Sequence, residues 1–378
     1  MVRYVLLQKM SVATRALLFG ALCCLGFACS TDFEVNAPYT KIPVVNGFLN
    51  PAERVQYVRV QRTFQNRTGD ASVIARNNRD SSEFRPGEIQ VSLWRVTPTE
   101  VKIGNYQPIE SSTKDTNGSF YAPDQTLFRL DLGSTNVLIP GQVYKLKVKN
   151  LFTGDSSVQA VTNIVGPFNI TTPTNDRNLP ASDTLGRKTL FISPVERDEF
   201  NIQYFPSCYA RLTSMNMRIN YRDIKTDGTT EDHDIWFKQA LSVVESSVST
   251  ECVISSNSGL KPKTNAVKSS PIFQAMMDSI PPADNTIAFR NFINVQCYFY
   301  AASQQVADFQ NVNQQFLPIT QSVPTYSNIA GGVGVFASVR SEIVTAVLKP
   351  TLATELNSRN AAGLPIYPKL EALKFRNR

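Results

Sequence analysis

The sequence contains a single histidine, His233, and acidic residues flank it in the stretch T-E-D-H-D-I-W. Glu231, Asp232 and Asp234 could offer oxygen ligands to a metal ion. The usual zinc sites need several histidine or cysteine ligands, which one histidine cannot supply, and the acids lack the spacing of an EF-hand loop. A Ser-His-Asp triad would also depend on this residue, and no G-x-S-x-G elbow is present. We therefore predict a solvated turn before a strand here, and expect no metal, cofactor or catalytic site in the chain.

Three cysteines fall within seven residues near the start of the chain, where their thiols are candidates for covalent modification. A leader with three basic residues is followed by the apolar run 16–28, which ends directly before the third cysteine. This run is shorter than the about 20 residues that span a membrane, and the arrangement is typical of a secretory signal peptide. Cleavage requires a small side chain before the cut. Of the three cysteines, only Cys29 is preceded by a small residue, Ala28.

The segment G-F-A-C resembles a loose bacterial lipobox, although Gly26 stands where leucine is common. In a lipobox the cysteine is lipidated and becomes the first residue of the mature chain. We predict a signal peptide over 1–28 and a lipid-anchored tether over 29–41; the alternative is a plain signal peptide that ends near a cysteine. Asp32 and Glu34 resemble a weak form of the acidic signal that sends Bacteroidota lipoproteins to the cell surface. The predicted location is the outer membrane, facing the cell surface.

The composition fits an exported, folded chain. Its 378 residues, 42% hydrophobic and 18% charged, suffice to bury a core and to form two domains. The formal net charge is +7, and three of the positive charges belong to the leader. The remaining charge is small and evenly spread, whereas nucleic-acid binding needs a concentrated basic face. We therefore expect no nucleic-acid partner.

Apolar and polar residues alternate in several short runs of the first half, which is typical of half-buried antiparallel strands. Turn residues separate these runs, and no helix is evident among them. This pattern predicts an N-terminal immunoglobulin-like β-sandwich over 42–165. The apolar positions of the four clearest runs are Val58 and Val60; Ile89, Val91 and Leu93; Phe128, Leu130 and Leu132; and Tyr144, Leu146 and Val148.

The second half, 187–378, combines strands with a few helix signals, so the predicted fold class is mainly β. Alternation around Met215–Tyr221 and Ile293–Phe299 indicates two strands. Ser270-Pro271 is typical of a helix start with proline in the first turn, and Ser303 is a second candidate N-cap. We predict a β-rich C-terminal domain with a few short helices.

The segment 166–186 between these halves is rich in Pro, Thr, Asn and Asp and predicts an interdomain linker. It contains Thr184 in D-T-L, and Ser279 occupies the same place in D-S-I. Both triplets resemble the site at which Bacteroidota O-glycosylate exported proteins. The mature chain also holds three internal cysteines, Cys208, Cys252 and Cys297. Two of them could form a disulfide in an oxidising compartment, and the sequence does not choose the pair.

Gly332, Gly334 and Ala337 match the dinucleotide-binding pattern G-x-G-x-x-A, but an apolar strand follows them instead of the helix that the motif requires. Three glycines in four positions, Gly331, Gly332 and Gly334, cost a strand about 0.5–1 kcal/mol each relative to alanine. A bulge or the close approach of another backbone would offset this cost. We favour a structural role; the alternative is a binding edge that accepts a partner strand.

The segment from Tyr326 to Ser338, Y-S-N-I-A-G-G-V-G-V-F-A-S, resembles a signature near the C-terminus of a large family of Bacteroidota lipoproteins, the domain of unknown function 4249. Three weaker segments are similar as well: V-V-N-G-F-L, I-N-V-Q-C-Y-F-Y and the closing L-K-F-R. The resemblance covers most of the mature chain. It implies an outer-membrane lipoprotein, often encoded near TonB-dependent transporters, with no established reaction and no catalytic residues.

These patterns lead to three functional hypotheses. The preferred one is a non-enzymatic binding or accessory lipoprotein, anchored through Cys29 and associated with a TonB-dependent transporter or another envelope complex. The second is a structural subunit of an envelope secretion or motility machine. The third is a hydrolase of polysaccharide or peptide that uses a pair of carboxylates, although no pair can be selected among 31 acidic residues.

Overall fold

The computed structural model describes residues 40–65, 71–118, 120–134, 137–175, 188–190, 192, 199–250, 252, 261–314, 326–348, 351–359, 361–362 and 366–376. The predicted signal peptide, Cys29 and nearly all of the tether lie outside these residues. Lys41–Asn66 and Asp70–Arg378 form one compact unit, and every element below belongs to it.

Strands dominate this unit, and the helices are few and short, so the predicted mainly β fold class is confirmed. The strands are β1 (Pro43–Leu49), β2 (Val55–Arg62), β3 (Ile89–Thr97), β4 (Thr99–Asn105), β5 (Gln107–Ser111), β6 (Gln125–Asp131), β7 (Val143–Asn150), β8 (Val158–Asn163), β9 (Asn169–Ile170), β10 (Thr174–Asn175), β11 (Lys188–Leu190), β12 (Glu199–Phe205), β13 (Leu212–Lys225), β14 (Thr230–Val244), β15 (Lys263–Lys268), β16 (Ile287–Ala302), β17 (Ile329–Ala330) and β18 (Val333–Leu348).

The helices connect or cover these strands. They are α1 (Ala71–Asn77), α2 (Ser270–Ser279), α3 (Gln304–Gln314), α4 (Thr351–Leu356) and α5 (Pro368–Glu371), with a 3₁₀ turn over Arg79–Ser81. α2 begins at the predicted Ser-Pro start, and α3 begins directly after Ser303. No helix among the described residues is long and apolar enough to span a membrane.

The first half is a two-layer sandwich with the immunoglobulin strand arrangement. One layer has the order β1-β2-β6-β5, and the other has the order β8-β7-β3-β4. If the strands are lettered in chain order, the first layer is A-B-E-D and the second is G-F-C-C′, as in an immunoglobulin-like domain. The alternating residues predicted to be apolar and buried line the space between the layers, where Val58, Val91, Leu93 and Leu146 are almost fully inaccessible to solvent.

A buried tyrosine ties the end of this sandwich together. Tyr144, at the start of β7, accepts a hydrogen bond through its hydroxyl from the backbone N–H of Ile139, at 3.2 Å. A tyrosine at the start of strand F that bonds back to the backbone just upstream is the tyrosine corner of immunoglobulin-like folds. This hydrogen bond fixes the turn at Pro140 and Gly141, where Gly141 has a φ of +82°.

The second half builds its own core on a long antiparallel sheet of order β14-β13-β16-β18. One face of this sheet is apolar and shares a hydrophobic cluster with the three-stranded sheet β15-β12-β9 and with helices α2, α4 and α5. Met215, Met217, Val295 and Phe299 lie at its centre and are inaccessible to solvent. The opposite face of the sheet carries mainly polar and aromatic side chains.

Strand β18 belongs to both halves. Val333–Ser338 pairs in parallel with β1 of the sandwich, and Val339–Ala346 pairs antiparallel with β16. The predicted linker therefore connects regions that a single strand also joins by backbone hydrogen bonds. Of that linker, residues 166–175 are described and contain β9 and β10, and the remainder lies outside the described residues.

Replacing Tyr144 by phenylalanine tests the tyrosine corner. The variant should lose about 0.5–1.5 kcal/mol of unfolding free energy, the typical net value of one intramolecular hydrogen bond. Urea unfolding of the purified chain measures this loss. Tyr57→Phe is the matched control, because Tyr57 is exposed on β2, and it should leave the unfolding free energy unchanged. Equal stability of Tyr144→Phe and the wild type would contradict the role assigned to the hydroxyl.

Candidate functional site

The glycine motif lies at the turn from β17 into β18, against the first strand of the sandwich. Gly331 and Gly334 have φ values of +67° and +119°, which L-residues rarely adopt. A Cβ on Gly334 would lie 2.9 Å from the carbonyl carbon of Val45, and one on Gly332 would lie 2.8 Å from the carbonyl oxygen of Pro43. Glycine is therefore required here because two backbones approach more closely than a side chain allows.

An asparagine side chain fixes this turn. Asn328 donates from Nδ2 to the carbonyl oxygen of Phe336 at 2.7 Å, and its Oδ1 accepts from the backbone N–H of Phe336 at 2.9 Å. The side-chain amide of Asn328 thus makes the two hydrogen bonds that a neighbouring strand would otherwise make to the backbone of Phe336. This pair connects two positions of the signature from Tyr326 to Ser338 and accounts for the asparagine; the bonds use only the backbone of Phe336, whose side chain is fully buried in the sandwich core.

Ser338 joins three segments at the point where β18 passes from the sandwich to the long sheet. Its hydroxyl donates to the carbonyl oxygen of Leu49 at 3.1 Å and accepts from the backbone N–H of Val165 at 3.0 Å. The backbone N–H of Ser338 donates to the hydroxyl of Ser303 at 3.2 Å. Since Ser338 is fully buried, these bonds form away from competing water.

The backbone of this region therefore forms its hydrogen bonds with other strands of the same protein. β1 covers one side of Val333–Ser338, and β17 pairs with β8. This geometry favours the structural alternative for Gly331, Gly332 and Gly334, because a partner strand would have to displace either β1 or the hydrogen bonds that Asn328 makes to β18.

A separate pocket of about 540 Å³ opens at one end of the sandwich, beside β2, β5, β6 and the segment before β3. Arg79 organises its polar wall: it donates to Glu83 at 2.8 Å, to Thr126 at 2.8 Å and to Glu110. Burial opposes the charge of the guanidinium, but the hydrogen bonds to Glu83 and Glu110 outweigh that effect and raise the pKa of Arg79. Phe128 contributes an apolar wall.

The segment that borders this pocket is held by further charged contacts. Arg62 donates to the backbone carbonyls of Glu83 at 2.8 Å and Asp80 at 2.7 Å. Burial disfavours the ionised form of Glu88, yet the hydrogen bonds from Lys41 and the Arg85 backbone lower the pKa of Glu88 overall. Arg85 itself is exposed and lines the pocket, so its guanidinium faces solvent at the rim. The pocket can receive a polar or anionic group beside an apolar wall.

The acidic stretch around His233 forms part of a strand, so the predicted turn was wrong there. Residues 230–244 are β14, and the turn lies at 226–229. The acids are tolerated in the strand because arginines lie opposite: Arg222 donates to Asp232 at 2.8 Å, and Arg218 lies 3.1 Å from Asp234. Alternating acids in a sequence do not reveal such cross-strand partners.

His233 stacks on Tyr221 with ring centroids 5.2 Å apart, and its Nε2 lies 3.6 Å from Oδ2 of Asp223. Asp223 in turn accepts from the buried Arg290 at 2.7 Å. Arg290 also donates to the carbonyl oxygen of Leu373 at 3.2 Å, which holds the closing segment L-K-F-R against the sheet. Among the described residues no group of three or more His, Cys, Asp or Glu side chains could hold a metal ion.

The internal cysteines have definite roles in the structure. Cys208 and Cys252 form a disulfide, with Cα atoms 5.0 Å apart, and Cys297 is a buried free thiol in β16. Burial raises the pKa of the Cys297 thiol to about 12, so the reactive thiolate is disfavoured. Gly166 packs against Cys208, where a Cβ would clash with the sulfur.

Of the two candidate O-glycosylation sites, Ser279 is exposed at the last residue of α2. Thr184 lies outside the described residues, as does the predicted lipidation site Cys29. Arg79 and its partners were not predicted from the sequence, although the i, i+4 spacing of Arg79 and Glu83 was a usable signal.

Comparisons with known proteins give no family assignment. No family model matches the chain, and no curated protein matches it. A crystal structure of CBD12 from CALX1.2 aligns over 79% of this chain and 94% of its own, at 11% identity and a TM-score of 0.15. The calcium binding domain CBD12 of CALX1.1 aligns over 81% and 98%, at 10% identity and a TM-score of 0.14. Superpositions this poor carry no argument about fold or calcium binding.

Substituting Gly334 by alanine tests the close approach of β18 to β1. We expect a large loss of thermal stability, because the new Cβ meets the Val45 backbone in addition to the positive φ. Gly154→Ala is the matched control: Gly154 has a φ of +76°, and no atom lies within 4 Å of the position that a Cβ would occupy. The control should lose only the about 1–2 kcal/mol of a left-handed backbone. Equal melting temperatures for the two variants would contradict the proposed packing.

Proposed function

We propose that this protein is an outer-membrane lipoprotein, anchored through Cys29 and facing the cell surface, that serves as a non-enzymatic binding or accessory subunit. Its proposed partner is a TonB-dependent transporter. The observation that carries this proposal is the leader, in which basic residues, a short apolar run and Ala28 precede Cys29. β1 begins at Pro43, so few residues separate the proposed lipid from the folded body.

The architecture supports a binding role. An immunoglobulin-like sandwich presents its loops at the ends of a rigid scaffold, and binding residues are often placed on such loops. Here the segment that follows β2 helps to form the pocket of about 540 Å³. That volume lies within the range of small-molecule sites.

The pocket also contains the carboxylates that a hydrolase would need, but their arrangement favours binding. A glycosidase places two carboxyl groups on either side of the scissile bond, with substrate between them. Here Glu83 and Glu110 both accept hydrogen bonds from Arg79, whose guanidinium occupies the space between them. We therefore place a binding subunit ahead of a carboxylate-dependent hydrolase.

Metabolic labelling with radioactive palmitate tests the anchor. We expect the wild-type chain to incorporate label and Cys29→Ala to incorporate none, because the proposed acyl chains attach at this residue. Cys23→Ala is the matched control, since Cys23 lies within the predicted signal peptide, and it should leave incorporation unchanged.

Equal labelling of wild type and Cys29→Ala would contradict the lipoprotein proposal. Affinity purification of the labelled wild type from solubilised outer membranes then tests its partner. Recovery of a TonB-dependent transporter supports the proposal. Recovery of secretion or motility components instead would assign the protein to an envelope machine.

A further inference from the structure

The polar face of the long sheet carries a pair of aromatic side chains that is distinct from the pocket of the sandwich. Trp236 of β14 and Tyr298 of β16 reach towards each other over β13, and their ring centroids lie 4.9 Å apart with a tilt of 38°. Trp236 remains 45% exposed. Ile343 of β18, the cross-strand partner of Tyr298, is 54% exposed. Large side chains are thus presented to solvent on three strands.

Side-chain amides border these rings. Gln296 accepts a hydrogen bond from the hydroxyl of Tyr298 at 3.1 Å, and Asn220 donates to Asn294 at 2.6 Å. These residues lie on β13 and β16 next to the aromatic pair. An amide offers both a donor and an acceptor, which suits a ligand that carries many hydroxyl groups.

The charges on this face compensate each other. Arg218 lies beneath Trp236, 5.5 Å from the ring centroid, and 3.1 Å from the carboxylate of Asp234. Arg222 is hydrogen-bonded to Asp232. Each arginine is therefore matched by a carboxylate. The exposed Lys238, two residues from Trp236 on β14, adds one positive charge, which gives little attraction to a polyanion. The complementary ligand is uncharged.

The face has a definite extent. From Trp236 on β14 to Ile343 on β18 it crosses three inter-strand spacings, roughly 14 Å at about 4.8 Å per strand. Helix α3 closes one end, where Ala307 packs on Leu212 and Ala302. The open part is wide enough for a short oligosaccharide.

From these observations we propose that the outer face of β14-β13-β16-β18 binds a segment of neutral polysaccharide. The C–H face of a sugar ring stacks on the exposed side of Trp236, whose π face is electron-rich. Tyr298 packs against Trp236 and holds its ring in place, and the sugar hydroxyls pair with the amides of Asn294 and Gln296. The proposal deepens the binding role proposed above by naming a ligand class. It is independent of the lipid, because the contacts use only residues of the sheet.

Affinity electrophoresis of the full chain in detergent tests the proposal. The gels contain β-glucan, xylan, galactomannan or dextran as neutral probes and hyaluronan as a charged probe. We expect at least one neutral polysaccharide to retard the wild type, hyaluronan to have no effect, and Trp236→Ala to weaken the retardation at least tenfold. Trp94→Ala is the matched control, because Trp94 is the other tryptophan and lies on β3 of the sandwich. It should behave as the wild type.

Gln296→Ala provides a second variant whose side chain lies outside the apolar core, and it should also weaken the retardation. Circular dichroism identifies any variant that has lost its fold. Absence of retardation by all four neutral polysaccharides would overturn the proposal, and so would equal retardation of wild type, Trp236→Ala and Gln296→Ala. Neither result would change the outcome of palmitate labelling, so the proposal of a lipid anchor and the proposal of a polysaccharide ligand are tested independently.

Discussion

The structure depends on the close approach of two backbones, β18 and β1. Parallel pairing of Val333–Ser338 with β1 requires that no Cβ stand at Gly334, where it would meet the main chain of Val45. Three glycines in four positions weaken a strand, and the hydrogen bonds of this pairing offset that cost. Asn328 adds two side-chain bonds to Phe336. The glycine-rich signature is thus explained by local geometry.

This contact determines how the rest of the chain is arranged. Beyond Ser338 the same strand pairs with β16, so the edge of the sandwich continues into the long sheet. The long sheet then presents one face to an apolar core and the other to solvent. The pocket at the sandwich end and the aromatic face of the long sheet are separate surfaces on one folded unit. In the proposed binding role, these two surfaces would serve different ligands.

Much of the fold could be predicted from alternation, because a period of two identifies which residues of a strand face the core. The immunoglobulin-like half and the starts of α2 and α3 followed from such local signals. Pairing partners could not be predicted: β18 joins β1 across most of the chain, and alternation specifies faces but not neighbours. For the same reason the Cys208–Cys252 pair, the contacts of Arg79 with Glu110 and Thr126, and the meeting of Trp236 with Tyr298 could not be derived from the sequence. The turn predicted at His233 was wrong because the acids alone gave no sign of Arg218 and Arg222, which compensate them across the β13–β14 pair.

Because β18 pairs with both β1 and β16, we expect the sandwich and the long sheet to unfold as one cooperative unit. The chain has only two tryptophans, Trp94 in the sandwich and Trp236 in the long sheet. Urea unfolding is followed by tryptophan fluorescence in two variants. Trp236→Phe keeps Trp94 and reports the sandwich, and Trp94→Phe keeps Trp236 and reports the long sheet. Coincident midpoints and slopes, matched by circular dichroism, are expected for a unit that unfolds in one step. Two transitions separated in urea concentration would show that the halves unfold independently and would contradict the claim.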